Sequence, residues 1–294
     1  MSLRASSIGD LAAKIISNGG TGEVTRVFHR SIYVRSGVDF VLLLWGRLRS
    51  PITINVEGNN SFGWRMRVGE RCVLDEKYIG LDAERIDLRG AEVFRCALLD
   101  SREITLPSGP ALAKGVAMLR SLYDVSPSGP TLAADLALRS FVREILIPLS
   151  FGRTGAAYQA GRYLHLIGRG GGFTPSGDDF IGGFVATFNY VARCRRIRQV
   201  LFPRAFFRGL TVPESAMILS YSAKGRVDED MESLVLATTS GSARYYDELM
   251  TVARRGHTSG IDMSLGVLLC EAALAQAKGE RAALQKCLDA LWKP

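Results

Sequence analysis

The spacing of apolar residues changes partway along the chain. From Gly22 to about Leu106 the segments VTRVFHRSIYVRSG, DFVLLLWGRL, PITINVEG and WRMRVGERCVL alternate or cluster β-branched and aromatic residues between glycine, proline and asparagine. Strands place successive side chains on opposite faces, so this stretch predicts a β-rich, barrel-like domain. Pro51 is expected at a strand's first position, where its missing N–H costs no ladder bond. After Ser108, apolar residues recur at helical three-and-four spacing in GPALAKGVAMLRSLYDV, TLAADLALRSFVREILIPL and ERAALQKCLDALW. The Pro107–Pro110 turn then divides an α+β chain into a β-rich domain, 1–108, and a mainly α-helical domain, 109–294. The same four letters at Pro127–Pro130 predict another helix start.

Further helices are predicted over 157–167 and 180–193, and GRGGGFTPSGDD separates them. Gly168, Gly170, Gly171 and Gly172 would each cost roughly 1 kcal/mol inside a helix, so they belong to a loop whose backbone N–H groups are uncovered. Thr174, Pro175, Ser176, Gly177, Asp178 and Asp179 then match a helix N-terminus with a hydroxyl cap and an acidic first turn. Such a terminus can receive an anion. The aspartates bring negative charge to the same end, which a divalent cation such as Mg²⁺ on Asp178 and Asp179 would reconcile. A plainer alternative is that serine and aspartate only cap the helix.

The pattern SGxDxxxG at Ser176–Gly183 recurs 83 residues later at Ser259–Gly266. Its glycine falls one turn beyond the aspartate, on the same helix face, and would admit a close neighbour. If the two helices are neighbours, Asp179 and Asp262 converge, with His257, Thr258, Ser259 and Gly260 at the rim. Asp178, Asp179, Asp262 and His257 are the candidate catalytic groups. Gly168, Gly170, Gly171, Gly172, Thr174, Ser176, Gly177, Thr258, Ser259 and Gly260 are the candidate substrate contacts. No lysine follows the glycines as a Walker loop requires, and Phe173 stands where a dinucleotide-binding fingerprint needs its last glycine.

Composition narrows the function classes. The net charge is +8, and 30 of the 37 basic residues are arginine, a side chain suited to bidentate contact with carboxylates and phosphates. Five scattered cysteines, none spaced as CxxC, suggest neither a disulfide framework nor a thiolate zinc site. Phe40–Trp45 reads as the longest apolar run and the first twenty residues lack a secretory pattern, so a cytoplasmic protein without a membrane partner is expected. Arg193, Arg195, Arg196, Arg198, Arg204 and Arg208 interleave with Phe202, Phe206 and Phe207. That cluster offers a nucleic-acid or protein-docking alternative, of which docking is the expected one.

GRGGGFTPSGDDFIGG and GHTSGIDMSLG together resemble the signatures of the AllH-like family, which includes the AllH subunit of oxamate carbamoyltransferase. TVPESAMILSYSAKGRVDEDMESL, VFHRSIYV and SPITINV resemble other parts of that family. The chain departs from the pattern at Arg169, Gly171 and Phe173. The resemblance implies a subunit of a carbamoyl-transferring assembly, working with partner subunits or as a homo-oligomer. The expected ligand is a small anionic metabolite such as carbamoyl phosphate or oxamate. A metal-dependent hydrolase using the aspartates is the alternative enzyme.

Overall fold

The computed structural model describes residues 2–58, 66–81, 84–96, 98, 103–125 and 132–293; the Pro127–Pro130 turn lies outside them. The chain divides into two compact units, Met1–Ala97 with Val227–Glu229 and Leu98–Arg226 with Asp230–Pro294.

The first unit is a β-barrel with one additional strand. Its strands are β1 (Ser2–Gly9), β2 (Gly20–Val27), β3 (Ser31–Ser36), β4 (Asp39–Leu44) and β5 (Thr53–Val56), then β6 (Arg71–Asp75), β7 (Tyr78–Leu81), β8 (Glu84–Asp87) and β9 (Glu92–Phe94). They follow the order β5-β4-β3-β2-β6-β7-β8-β1-β9, and a β1–β5 pairing closes eight of them into a ring. β1 serves three neighbours because its length is shared: Ser2–Arg4 pair with β8 and Ser7–Gly9 with β9. Closure removes sheet edges and turns alternate side chains inward, so Val24, Ile32, Val41, Leu43 and Ile54 fill the interior. The short helix α1 (Asp10–Ser17) adds Ala12, Ile15 and Ile16 to this core. Pro51 lies in the turn before β5 rather than in the strand: the Thr53 N–H closes that turn on the Ser50 carbonyl at 3.2 Å, and the Pro51 carbonyl accepts the Ala12 N–H at 2.9 Å. Gly9 is needed there: a Cβ would stand 2.2 Å from the Pro51 carbonyl oxygen.

The second unit is helical: α2 (Gly109–Val125), α3 (Leu136–Phe141), α4 (Ile147–Ser150), α5 (Ser176–Cys194), α6 (Pro213–Ser222), α7 (Glu229–Thr239), α8 (Tyr245–Ala253), α9 (Ser259–Ala277) and α10 (Ala283–Trp292). A π-helical turn, Val142–Leu146, joins α3 to α4. The segment expected as a helix over 157–167 instead forms 3₁₀ turns, Thr154–Tyr158 and Ala160–Tyr163. An extended Gln159, followed closely by Gly161, interrupts it. α5 and α9 form the centre, buried from Gly177 to Ala192 and, but for the half-buried Met263, from Gly260 to Ala275. Phe141 meets Tyr163, Phe180 and Phe184 edge-on at ring-centroid distances of 5.2–5.6 Å, which sheathes α5 in aromatic packing. α9, rather than Phe40–Trp45, is the long apolar stretch. By length and composition it could cross a membrane, but 83% of it is buried in the protein.

Candidate functional site

The two SGxD segments do open neighbouring helices, and their glycines lock the helices together. A Cβ on Gly183 would lie 2.1 Å from the Met263 carbonyl oxygen, and one on Gly266 would lie 2.1 Å from that of Phe180. Each helix therefore presses its bare glycine onto the other's backbone, one turn beyond the aspartate. A second reciprocal pair fixes the approach to each opening. A Cβ on Gly177 or on Gly260 would stand 1.9 Å from the carbonyl oxygen of Leu166 or of Val252. Their N–H groups donate to the carbonyls of Arg169 at 2.9 Å and Arg255 at 3.2 Å.

This register brings the predicted hydroxyls face to face. Thr174 Oγ1 lies 3.2 Å from Ser259 Oγ, and Ser176 Oγ lies 3.5 Å from Thr258 Oγ1. The expected hydroxyl cap is absent on both helices: Pro175 and Thr258 occupy the cap positions without a side-chain cap bond. The hydroxyls instead cross between the openings.

The three aspartates have different surroundings. Asp178 is engaged in holding the loop, since Oδ1 accepts the Gly168 N–H at 2.8 Å and Oδ2 accepts the Thr211 hydroxyl. Asp179 accepts from Thr174 at 3.0 Å. Burial raises its pKa well above the ordinary value; the Ser259 and Thr174 hydroxyls oppose the rise, and the charges of Asp262 and Asp178 add to it. Asp262 is buried completely, and its Oδ1 accepts the Tyr123 hydroxyl. Burial pushes its pKa up to about 6 against the easing effect of Tyr123, Ser176 and Thr258. The last two hydroxyls are close, yet Oδ2 has no hydrogen bond of acceptable geometry. Oδ2 is thus a wholly buried acceptor without a hydrogen bond, beside the Ser176 and Thr258 hydroxyls of the two helix starts.

The rim differs in character. Gly170, Gly171 and Gly172 are exposed, and no backbone carbonyl among the described residues accepts their N–H groups. Gly170 and Gly172 have φ of +97° and +100°, conformations open to glycine at no steric cost. Gly168, by contrast, has already given its N–H to Asp178. His257 is exposed at the turn before α9 and has no hydrogen-bond partner among the described residues.

Tyr123, Thr211 and Ser215, which also supports Asp178, escaped the sequence reading. A signal existed for the last two, because Thr211-Val-Pro-Glu-Ser215 places two hydroxyls about the proline that starts α6. Tyr123 was legible only as part of the apolar face of α2.

Among the described residues no group of three or more His, Cys, Asp and Glu side chains is arranged to hold a metal ion. Of the Arg193–Arg208 cluster, Phe202 and Phe207 are buried and pack on one another at 5.5 Å, so those rings are not presented for base stacking.

Residues 166–271, from just before the glycine loop to the fourth turn of α9, match the family model for the oxamate carbamoyltransferase subunit AllH. This is the family that the two motifs resemble. No curated protein and no solved structure matches the chain.

Proposed function

From the match of residues 166–271 to the AllH subunit of oxamate carbamoyltransferase, we propose that this chain is a carbamoyltransferase subunit whose paired helix openings bind a small anionic metabolite. Carbamoyl phosphate and oxamate are the ligands that best suit the site. Each carries an oxyanion at one end and an amide-like NH₂ at the other. Three uncovered glycine N–H groups can receive the oxyanion, and the buried Oδ2 of Asp262, which has no hydrogen bond, can accept from the NH₂. The unpartnered, buried Asp262 oxygen between two facing helix starts is the observation that carries this reading, since a buried acceptor left unpaired costs about 1–3 kcal/mol and a donor from the ligand would relieve it.

The chain's part in transfer is then placement of the two ends in a partly dry pocket, with the hydroxyls of Thr174, Ser176, Thr258 and Ser259 fixing orientation. The reading does not require a resident Mg²⁺. A divalent cation on Asp178 and Asp179 would have to displace the Thr211 and Thr174 hydroxyls. Partner subunits, or further copies of this chain, supply the rest of the assembly.

Calorimetric titration of the purified chain with oxamate, carbamoyl phosphate and inorganic phosphate, each with and without Mg²⁺, tests this. Saturable binding weakened at least tenfold by Asp262→Ala is expected. Silence with all three ligands in both conditions removes the reading. Binding that appears only with stoichiometric Mg²⁺ favours the metal-dependent alternative.

A further inference from the structure

The two openings are near-copies, and the difference between their arginines is informative. Arg169 and Arg255 hold equivalent places, because each offers its carbonyl to the SGxD glycine of the following helix. Three residues before each stands the carbonyl that the same glycine packs against, that of Leu166 or Val252. The side chains nevertheless have different fates. Arg255 is drawn to Asp230, 3.6 Å away, and only 26% of its side chain is exposed. Arg169 is exposed, and its guanidinium has no ion pair or hydrogen bond among the described residues.

The first opening is also longer. Seven residues separate Arg169 from Gly177, against four between Arg255 and Gly260, and the glycine run Gly170–Gly172 lies in the longer one. The unpaired cation is thus next in sequence to the uncovered N–H groups. Deeper in, the hydroxyls and the carboxyls of Asp179 and Asp262 supply no positive charge. The uncovered N–H groups carry only partial charge, so a full cation beside them would offset the negative charge of the two carboxyls for an anionic ligand.

We infer that Arg169 is the specificity-determining residue of this site, taking the carboxylate or phosphate end of the ligand at the mouth so that the uncharged amide end faces Asp179 and Asp262. This rests on the anion-binding reading above and adds the ligand's orientation and the group that selects its charge. A guanidinium is suited to the task because its planar donors match two oxygens of a carboxylate or phosphate at once. The backbone role of Arg169, whose carbonyl accepts the Gly177 N–H, survives any change of side chain.

The test compares oxamate with its uncharged counterpart oxamide, by calorimetry on the full chain. Wild-type protein should prefer oxamate at least tenfold. Arg169→Ala should weaken oxamate and inorganic phosphate tenfold or more, leave oxamide within about twofold, and leave the melting temperature unchanged. Arg169→Lys should restore part of the oxamate affinity. If Arg169→Ala binds oxamate as tightly as wild type does, or loses oxamate and oxamide equally, the inference is overturned while the site reading stands. If wild type binds neither oxamate, carbamoyl phosphate nor inorganic phosphate, the site reading itself fails and takes the inference with it.

Discussion

The opening at Gly168–Asp179 and the opening at Gly256–Asp262 share a skeleton and differ in their dressing. Both carry a glycine against a preceding carbonyl, an aspartate in the first turn and a second glycine against the other helix. Only the first has the glycine run and an unpaired arginine. Only the second has an aspartate tied to a tyrosine, Tyr123. The common parts determine how the helices meet, and the parts that differ place uncovered N–H donors on one opening and a buried acceptor, Asp262 Oδ2, on the other.

The most severe disruption should come from the shared part. Gly183→Ala and Gly266→Ala each drive a methyl into a backbone carbonyl, so each should cost about 3 kcal/mol or more. Denaturant unfolding should show similar losses for the two, and a large inequality would break the proposed equivalence.

Next in size is the charge on Asp262. Its folded pKa is raised, so below the ordinary aspartate value of 3.8 both folded and unfolded forms are protonated and no penalty exists. As pH climbs from 3.8 towards about 6, the unfolded chain ionises first and the fold loses stability, by about 3 kcal/mol once the loss is complete. Asp262→Asn should abolish this loss, being more stable than wild type above pH 6 and no better near pH 4. Urea titrations at the two pH values decide it.

Tyr123→Phe sharpens the contrast between the aspartates, since it leaves Asp262 Oδ1 without its donor while Asp179 keeps both of its hydroxyls. A cost of about 2 kcal/mol is expected, from thermal or urea unfolding at neutral pH. Smallest should be the crossed hydroxyls. Thr174→Val and Ser259→Ala should each cost about 1 kcal/mol, and a double-mutant cycle should show the two effects to be coupled.

How far the sequence could be read depended on how local the determining contacts are. α2 was predicted residue for residue, because its period and its proline turn lie within its own segment. The barrel-like character was legible from the strand pattern, but the identity of the closing pair, β1 and β5, was not, since that pairing joins residues about fifty positions apart. The repeated SGxD pattern raised the adjacency of α5 and α9 only as a condition, and the facing glycines meet it. The hydroxyl caps were misread because their true partners lie across the helix pair, 82 and 85 positions away. Tyr123 was hidden for the same reason: its bond to Asp262 spans 139 positions, and no local pattern reports it.

α9 also bears on how the chain reaches its fold. Before α5 and its other neighbours cover it, this segment would present the translocation machinery with a sequence close to that of a lipid-spanning helix. Asp262 and Glu271, both wholly buried once folded, lie within it. An acidic group near the middle of a membrane helix opposes insertion by about 2.5–3.5 kcal/mol. Glu271 is twelve residues into α9 and Asp262 only three, so Glu271 is the acid better placed to keep the nascent helix out of the bilayer.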